Sequence, residues 1–293
     1  VRNLFAGIVG CNSDCVAIIP AVSYGIALAA KNIPIEEGQS IVVLQDQFPS
    51  NVYSWRSLAT RKNAVIKTVP RPIDNDWTPA LLESIEDNTA VVAVSNCHWT
   101  DGTLIDLEKI GERCRAKGCA LVVDGIQSLG AMPFSIERVQ PDFLVTAAHK
   151  WLLGPYSFGF CYVDSKWHQG TGLEENWMNR AESEDFSRLV DYRDNYQKGA
   201  RRFDMGESSS FILSPIAAAA LKQILDWGVE NIALTLQAKT DAIADRAKEF
   251  GLVVAPRKVR APHLIGISKP GGFGKELPNL LAREKVYVSV RGE

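Results

Sequence analysis

The sequence predicts an α/β fold: a mainly parallel sheet flanked by helices, continued by a smaller α+β C-terminal domain that reads as incomplete. Three observations carry this. Short apolar runs alternate with helix-patterned segments over the first two thirds of the 293 residues, the pattern of a parallel sheet covered on both faces. After residue 165 the alternation breaks into a polar stretch, residues 166–209, with little periodicity. Helix-rich chain then follows, and a strand-helix-strand tail.

In chain order, Val16 to Ile19 is an apolar run and Ile26 to Ala30 is helix-like. Ile41-Val42-Val43-Leu44 reads as a short buried strand, after which Val52, Trp55, Leu58 and Ala59 recur at helical spacing. Ala64 to Val69 reads as a strand. Thr78 caps a helix with Pro79 at its first position, reaching about Asp87. Val91 to Val94 is a strand. Asp106 caps a helix with Leu107, Ile110 and Cys114 on one face, stopped by Gly118. Strands ending at Asp124 and near Ala148 follow, then Phe158 to Val163. Ser214 and Pro215 open a helix over Ile216–Trp227, ended by Gly228, and a longer one spans about Val229 to Phe250. The tail is a strand (His263–Ser268), a helix (Leu277–Lys285) and a strand (Val286–Val290). The expected division is a large domain over 1–227 and a partial small domain over 228–293.

A hydrophobic fraction of 46%, a charged fraction of 23% and a net charge of −2 describe an ordinary globular enzyme. The near-neutral balance argues for neither nucleic acid nor a membrane surface as partner. No apolar run approaches the roughly 18 residues of a membrane span, and no signal peptide opens the chain. The six cysteines are scattered through apolar segments, which suits free thiols and a cytoplasmic location. Neither they nor the four histidines show metal-ligand spacing. The chain opens on Val1 inside an established pattern, so it reads as a fragment.

The chemistry sits at two strand ends. Asp124 closes Ala120-Leu121-Val122-Val123, and Lys150 follows Phe143 to His149. In an open α/β sheet, ligands occupy the crevice beyond the carboxyl ends of the strands. An acid and an amine delivered there suit pyridoxal 5′-phosphate (PLP), whose aldehyde condenses with lysine while an acid keeps the ring nitrogen protonated. Spacing alone equally allows a surface lysine and a strand-end acid that never meet. Ser23-Tyr24-Gly25, ahead of a helix, could bind phosphate or simply cap. Gln127 could donate to the ring's phenolic oxygen, Phe48 could stack on the ring, and His149 could reach the phosphate; a loop Gln, a core Phe and a strand-end His are the plainer readings. Pro270-Gly271-Gly272-Phe273-Gly274-Lys275 fails as a P-loop, since Lys269 and Glu276 occupy positions that need Gly and Ser/Thr. No G-x-G-x-x-G is present.

Asp124-Gly125-Ile126-Gln127-Ser128-Leu129-Gly130 followed by His149-Lys150-Trp151-Leu152-Leu153-Gly154-Pro155 resembles the class V aminotransferase family of fold-type I PLP enzymes. That family includes cysteine desulfurases, kynureninases, isopenicillin N epimerase-like proteins and some aminotransferases. The likeness runs through Ser23-Tyr24-Gly25, Phe48-Pro49-Ser50-Asn51, Trp99-Thr100-Asp101-Gly102, Arg202-Phe203-Asp204 and Val288-Ser289-Val290-Arg291. The resemblance implies Lys150 as the Schiff-base lysine and Asp124 as the partner of the ring nitrogen. It places Gln127 and Trp99 near the phenolic oxygen, Ser23 and His149 at the phosphate and Phe48 on the ring, with Tyr24 also among the cofactor-binding residues. Arg291 would hold the substrate carboxylate, for which a bidentate guanidinium is suited.

The chain departs from the family where relatives reach a neighbouring subunit's phosphate. Here the stretch is Gly206-Glu207-Ser208-Ser209, and Ser208 or Ser209 is the better candidate because a glutamate repels phosphate. Compared with the family, roughly the first helical segment and the last part of the small domain are missing. The expectation is a homodimeric PLP enzyme acting on an amino acid, with the site at the interface and aminotransferase-type chemistry. Epimerisation, carbon-carbon or carbon-sulfur lysis, or a catalytically silent binding protein are the alternatives. A cysteine desulfurase is not expected: those enzymes stack a histidine where Phe48 stands, and carry their cysteine after an Arg-Thr-Gly segment where this chain reads Arg291-Gly292-Glu293.

Overall fold

Apolar runs and amphipathic segments close into one seven-stranded sheet, in a computed structural model that describes residues 1–291. The elements in order are α1 (Arg2–Val9), β1 (Val16–Ile19), α2 (Val22–Asn32), β2 (Ser40–Leu44), α3 (Tyr53–Lys62), β3 (Val65–Val69), α4 (Trp77–Ser84) and β4 (Thr89–Ser95). Next come α5 (Leu107–Lys117), β5 (Ala120–Asp124), the single turn α6 (Ile136–Val139), β6 (Phe143–Ala147) and β7 (Gly159–Val163). Short 3₁₀ turns occupy the polar stretch. They lead to α7 (Leu213–Trp227), α8 (Val229–Glu249), β8 (Val253–Val254), β9 (Ile267–Ser268) and α9 (Leu277–Arg283).

The strand order is β1-β7-β6-β5-β4-β2-β3, and β7 alone runs antiparallel, to both β1 and β6. The sheet is therefore mixed but mostly parallel, as the alternation predicts. Successive residues of each strand point to opposite faces, and both faces are covered. Val42, Leu44, Leu121 and Val123 pack with α1, α4, α5 and α7. Ile41, Val43 and Val122 pack with α2 and α3. Trp77 anchors one core and Trp55 the other, both fully buried, and each contributes roughly 1.5–3 kcal/mol through apolar burial. Gly25 lets α2 lie directly on β6, because a Cβ there would run into the Val145 side chain.

Caps set the helix ends. Asp106 accepts from the Lys109 N–H at 3.2 Å and Gly118 ends α5 at φ 69°. The start of α4 differs from expectation: Asp76, not Thr78, is the cap, accepting from the Thr78 N–H at 3.2 Å. The Thr78 hydroxyl instead accepts from the Asp106 N–H at 3.1 Å. A carboxylate two residues upstream outcompetes the threonine. Ser23-Tyr24-Gly25 lies within the first turn of α2, after an N-cap at Ala21.

The tail corrects two expected strands. Only Ile267–Ser268 of the run from His263 pairs, with Val253–Val254, because residues 259–266 cross the sheet's edge instead. Val286–Val290 forms no strand and is exposed. A strand needs a hydrogen-bonding neighbour, and the β8–β9 pair offers it none. Among the described residues no helix is long and apolar enough to cross a membrane.

Residues 259–266 tie the tail to the sheet. The Leu104 N–H donates to the Val259 carbonyl at 2.8 Å, the Ala261 N–H to Gly102 at 2.8 Å and the Gly266 N–H to Asp101 at 2.8 Å. Gly102 sits at φ 76°, and a Cβ there would strike the Leu264 carbonyl. Gly102→Ala is therefore expected to cost at least about 1–2 kcal/mol, from left-handed backbone strain and the lost close approach. Urea unfolding of the variant checks this; a midpoint matching the parent would show that the crossing is not tight.

Candidate active site

β2, β4, β5 and β6 are parallel neighbours, so their carboxyl ends share one edge, and four turns leave from it. β2 and β4 adjoin where the chain reverses its direction across the sheet, the switch point at which such folds open a crevice. The turn after β2 carries Phe48, that after β4 carries Trp99, that after β5 carries Gln127, and that after β6 carries Lys150.

Asp124 ends β5 opposite Ser95 of β4 and Val145 of β6. It is 3% exposed, and Oδ1 accepts from the Ile126 N–H at 3.0 Å. Among the described residues it makes no ion pair within 4 Å. Burial, opposed by the Ile126 N–H and the charge of Lys150, pushes its carboxyl up to about 6. Burial likewise holds the half-buried Lys150 ammonium below the ordinary lysine value, with Asp124 pulling it back up and Arg291 pushing it further down. Burial thus disfavours both charges, making the acid hold its proton longer than usual and the amine release its own more readily.

The Lys150 Nζ lies 5.6 Å from the centre of the Phe48 ring. Phe48 meets Trp99 edge-on, centroids 5.3 Å apart at 84°. The Trp99 Nε1–H donates to the Asp46 carbonyl at 2.6 Å, which fixes the indole between the two turns. Over its face, at 4.9 Å, lies the Arg291 guanidinium. Behind the Trp99 turn, the Arg71 guanidinium pairs with Asp101 and donates to the Thr100 hydroxyl at 2.9 Å. The buried His98 stacks on Trp77 at 5.2 Å and reaches the Gln45 carbonyl at 3.1 Å.

His149 stacks on Tyr156 at 4.1 Å, and its Nδ1 is buried without a partner. Burial, with Lys150 adding, lowers its pKa. The Gln127 Oε1 accepts from the Trp151 Nε1–H at 3.4 Å. Ser23 is exposed in the first turn of α2, on the helix that Gly25 seats against β6. The Tyr24 hydroxyl is buried, and burial, with Glu174 and Asp204 adding, pushes its pKa up. Ser208 stands apart from Lys150, in a cavity of about 450 Å³ shared with Arg2, Ile18, Arg201 and Asp204. Gly292 and Glu293, which bear on the desulfurase comparison, lie outside the described residues. Among the described residues no group of three His, Cys, Asp or Glu side chains could hold a metal.

The structure thus brings Asp124, Lys150, Phe48, Trp99, Gln127, His149 and Arg291 to one edge of the sheet. Sequence reasoning misses Trp151 and His263, whose ring lies edge-on to Trp151 at 4.5 Å and whose Nε2 meets the Gln127 carbonyl. A lone histidine in Ala261-Pro262-His263-Leu264 carries no local signal of a site.

The family model described as aminotransferase class-V matches residues 1–293. The chain is 29% identical over 293 residues to the uncharacterized aminotransferase YcbU of Bacillus subtilis (strain 168), covering 99% of this chain and 75% of that protein. It is 28% identical over 165 residues to a probable cysteine desulfurase of Methanothermobacter thermautotrophicus, covering 56% of this chain and 41% of that one, well under two thirds of its length. Among solved structures, a C-DES mutant with glycine covalently linked to the PLP cofactor superposes with a TM-score of 0.83 at 17% identity, over 98% of this chain and 76% of that chain.

Proposed function

The chain belongs to the class-V aminotransferase family, and from that premise we propose that it binds PLP on Lys150 and acts on an amino acid with aminotransferase-type chemistry. The observation that carries this is that the ends of adjacent strands β5 and β6 bring to one crevice a buried carboxylate that makes no ion pair among the described residues and an amine of lowered basicity near an aromatic ring.

The residues present fit the cofactor. Asp124 is a buried acid whose raised pKa leaves it in want of a cation, and a protonated ring nitrogen is one. Lys150 would take the aldehyde, Phe48 would cover the ring, and Gln127 and Trp99 would border its phenolic oxygen. The orphaned Nδ1 of His149 and the first turn of α2 at Ser23 would face the phosphate. When bound, PLP supplies an electron sink for the pair left on the substrate α-carbon.

This chain's own residues do the rest. Arg291 would pair with the substrate carboxylate, and the Trp99 indole beneath it limits where that carboxylate can sit. Lys150 would be the base that takes the α-proton onto Nζ. Burial lowers its pKa, which makes the lone pair on Nζ easier to offer than that of an exposed lysine. Phe48 and Trp99, packed edge-on, would border the reacting face.

The test is a panel of amino acids and 2-keto acids, scored for keto-acid and new amino-acid formation with PLP added. Amino-group transfer to a keto acid is expected; racemisation or elimination alone would sink the aminotransferase reading. Sulfide release from L-cysteine is expected to stay at background, since Phe48 cannot move a proton where a histidine could. Cys97 and Cys161 are fully buried, with thiol pKa values raised by that burial. Sulfide production sensitive to thiol alkylation would overturn this.

The homodimer expected from the sequence finds support in large apolar side chains left open at the start of α7. Phe211 is 95% exposed and Ile212 72%, more than a lone surface would favour. Light scattering on the eluted protein should give twice the chain mass; a monomer at micromolar concentration would contradict it.

A further inference from the structure

Deepening the reading above, and resting on it for the identity of the cofactor, we infer that His263 is a positioning residue of this site. It holds the Asp124 turn and the Lys150 turn in place from a segment 136 positions beyond Gln127.

The His263 Nε2 meets the Gln127 carbonyl oxygen within hydrogen-bond distance. A carbonyl only accepts, so Nε2 carries the proton and donates. Nδ1 is then the acceptor nitrogen, buried and without a partner. Burial pushes the imidazole pKa down to about 4, so the neutral ring persists through the physiological range. An apolar side chain would fill the same space without orphaning Nδ1. What the imidazole adds is one donor, aimed at Gln127.

Three residues close a triangle. His263 grips Gln127 by its main chain, while Trp151 grips it by its side chain at 3.4 Å. His263 and Trp151 pack on each other edge-on, 4.5 Å apart at 76°. Asp124 lies three residues before Gln127 on a tight turn, in which the Ser128 and Leu129 N–H groups both donate to the Gly125 carbonyl. Lys150 immediately precedes Trp151. One imidazole therefore braces the acid-bearing turn and the amine-bearing turn together.

His263 is itself held. The Thr240 hydroxyl donates to the Pro262 carbonyl at 2.9 Å, and the flanking Ala261 and Gly266 N–H groups bond the Trp99 turn. The segment thus joins three of the four turns that border the crevice.

The experiment compares the parent with His263→Leu, which has no donor, and His263→Gln, whose side-chain amide nitrogen reaches about where Nε2 stands. Hydrogen–deuterium exchange on the cofactor-free proteins is expected to rise in peptides covering 124–131 for His263→Leu, and to return toward parent values in His263→Gln. In titrations with PLP, His263→Leu should bind roughly tenfold more weakly, the scale of one lost hydrogen bond to a buried carbonyl. Its visible absorption maximum should also move, with Gln restoring both. Melting curves confirm that each variant folds; should His263→Leu fail to fold, His263→Asn, whose amide falls short of the carbonyl, takes its place. Unchanged exchange at 124–131, or unchanged PLP affinity and spectrum despite faster exchange, overturns the assignment. A parent protein that takes up no PLP would sink the cofactor reading instead, and the exchange measurement alone then decides whether His263 braces the turn.

Discussion

Lys150→Ala is expected to abolish covalent retention of PLP and to lower turnover by about 10²–10⁴-fold or more, since a positioned general base alone contributes that much. Two roles are lost at once. Nζ is the amine that would bind the aldehyde, and the base that would take the α-proton. No neighbour substitutes for it: His149 is stacked on Tyr156, and Asp124 is buried at the strand end beside it. Folding should survive, because burial already disfavours the Lys150 ammonium in the native chain. The check is borohydride treatment followed by peptide mass spectrometry. The parent should carry the reduced cofactor on the Lys150 peptide, and the variant should carry none. Reduced cofactor on another lysine of the variant would move the assignment elsewhere.

Asp124→Asn should weaken catalysis and strengthen the cofactor-free fold, two effects of opposite sign from one atom change. Asparagine supplies no charge to keep a ring nitrogen protonated, and losing such a buried charge-assisted bond raises the barrier by about 2–4 kcal/mol, roughly thirty- to a thousandfold in rate. Without cofactor, burial of the Asp124 carboxyl outweighs the Ile126 N–H and the charge of Lys150, and its folded pKa of about 6 stands above the ordinary 3.8. Between those values the native state binds more protons than the unfolded one, so stability falls as pH rises from about 4 to 6 and stays low above it. A shift of that size corresponds to about 3 kcal/mol. Asparagine does not titrate, and its side-chain oxygen can still accept from the Ile126 N–H. Urea unfolding of the two cofactor-free proteins from pH 4 to pH 7 should therefore diverge, the variant becoming the more stable. Parallel pH dependences would show that burial of Asp124 carries no such penalty, and an unchanged kcat would place the ring's partner elsewhere.

The sheet was legible because each strand is a closed apolar run bounded by turns, and because Asp106, Gly118 and Gly228 punctuate the helices. The acid and the amine stood out for a related reason: a charge at the end of a buried strand has few places to go but the crevice. Local chemistry misled where two signals overlapped, as when Asp76 took the cap assigned to Thr78. It failed where structure depends on distant partners. Val286–Val290 has the composition of a strand, yet no strand among the described residues pairs with it. His263 looks like any core histidine until Gln127 and Trp151 are beside it, and neither is near it in sequence.

The crossing of residues 259–266 over the sheet's edge has a kinetic side. His263 meets Gln127 across 136 positions, and Arg2 reaches Asp204 across 202. Contacts so far apart along the chain are closed late, because loop entropy opposes them until most of the core has formed. The parallel strands β4, β5 and β6 can assemble as a continuous stretch of βα units, but the turns at their ends gain their last supports only when the tail arrives. During synthesis those turns emerge long before the segment that braces them. Cofactor capture is therefore expected to lag behind the appearance of native secondary structure on refolding, with the catalytic crevice as the last part of the molecule to mature.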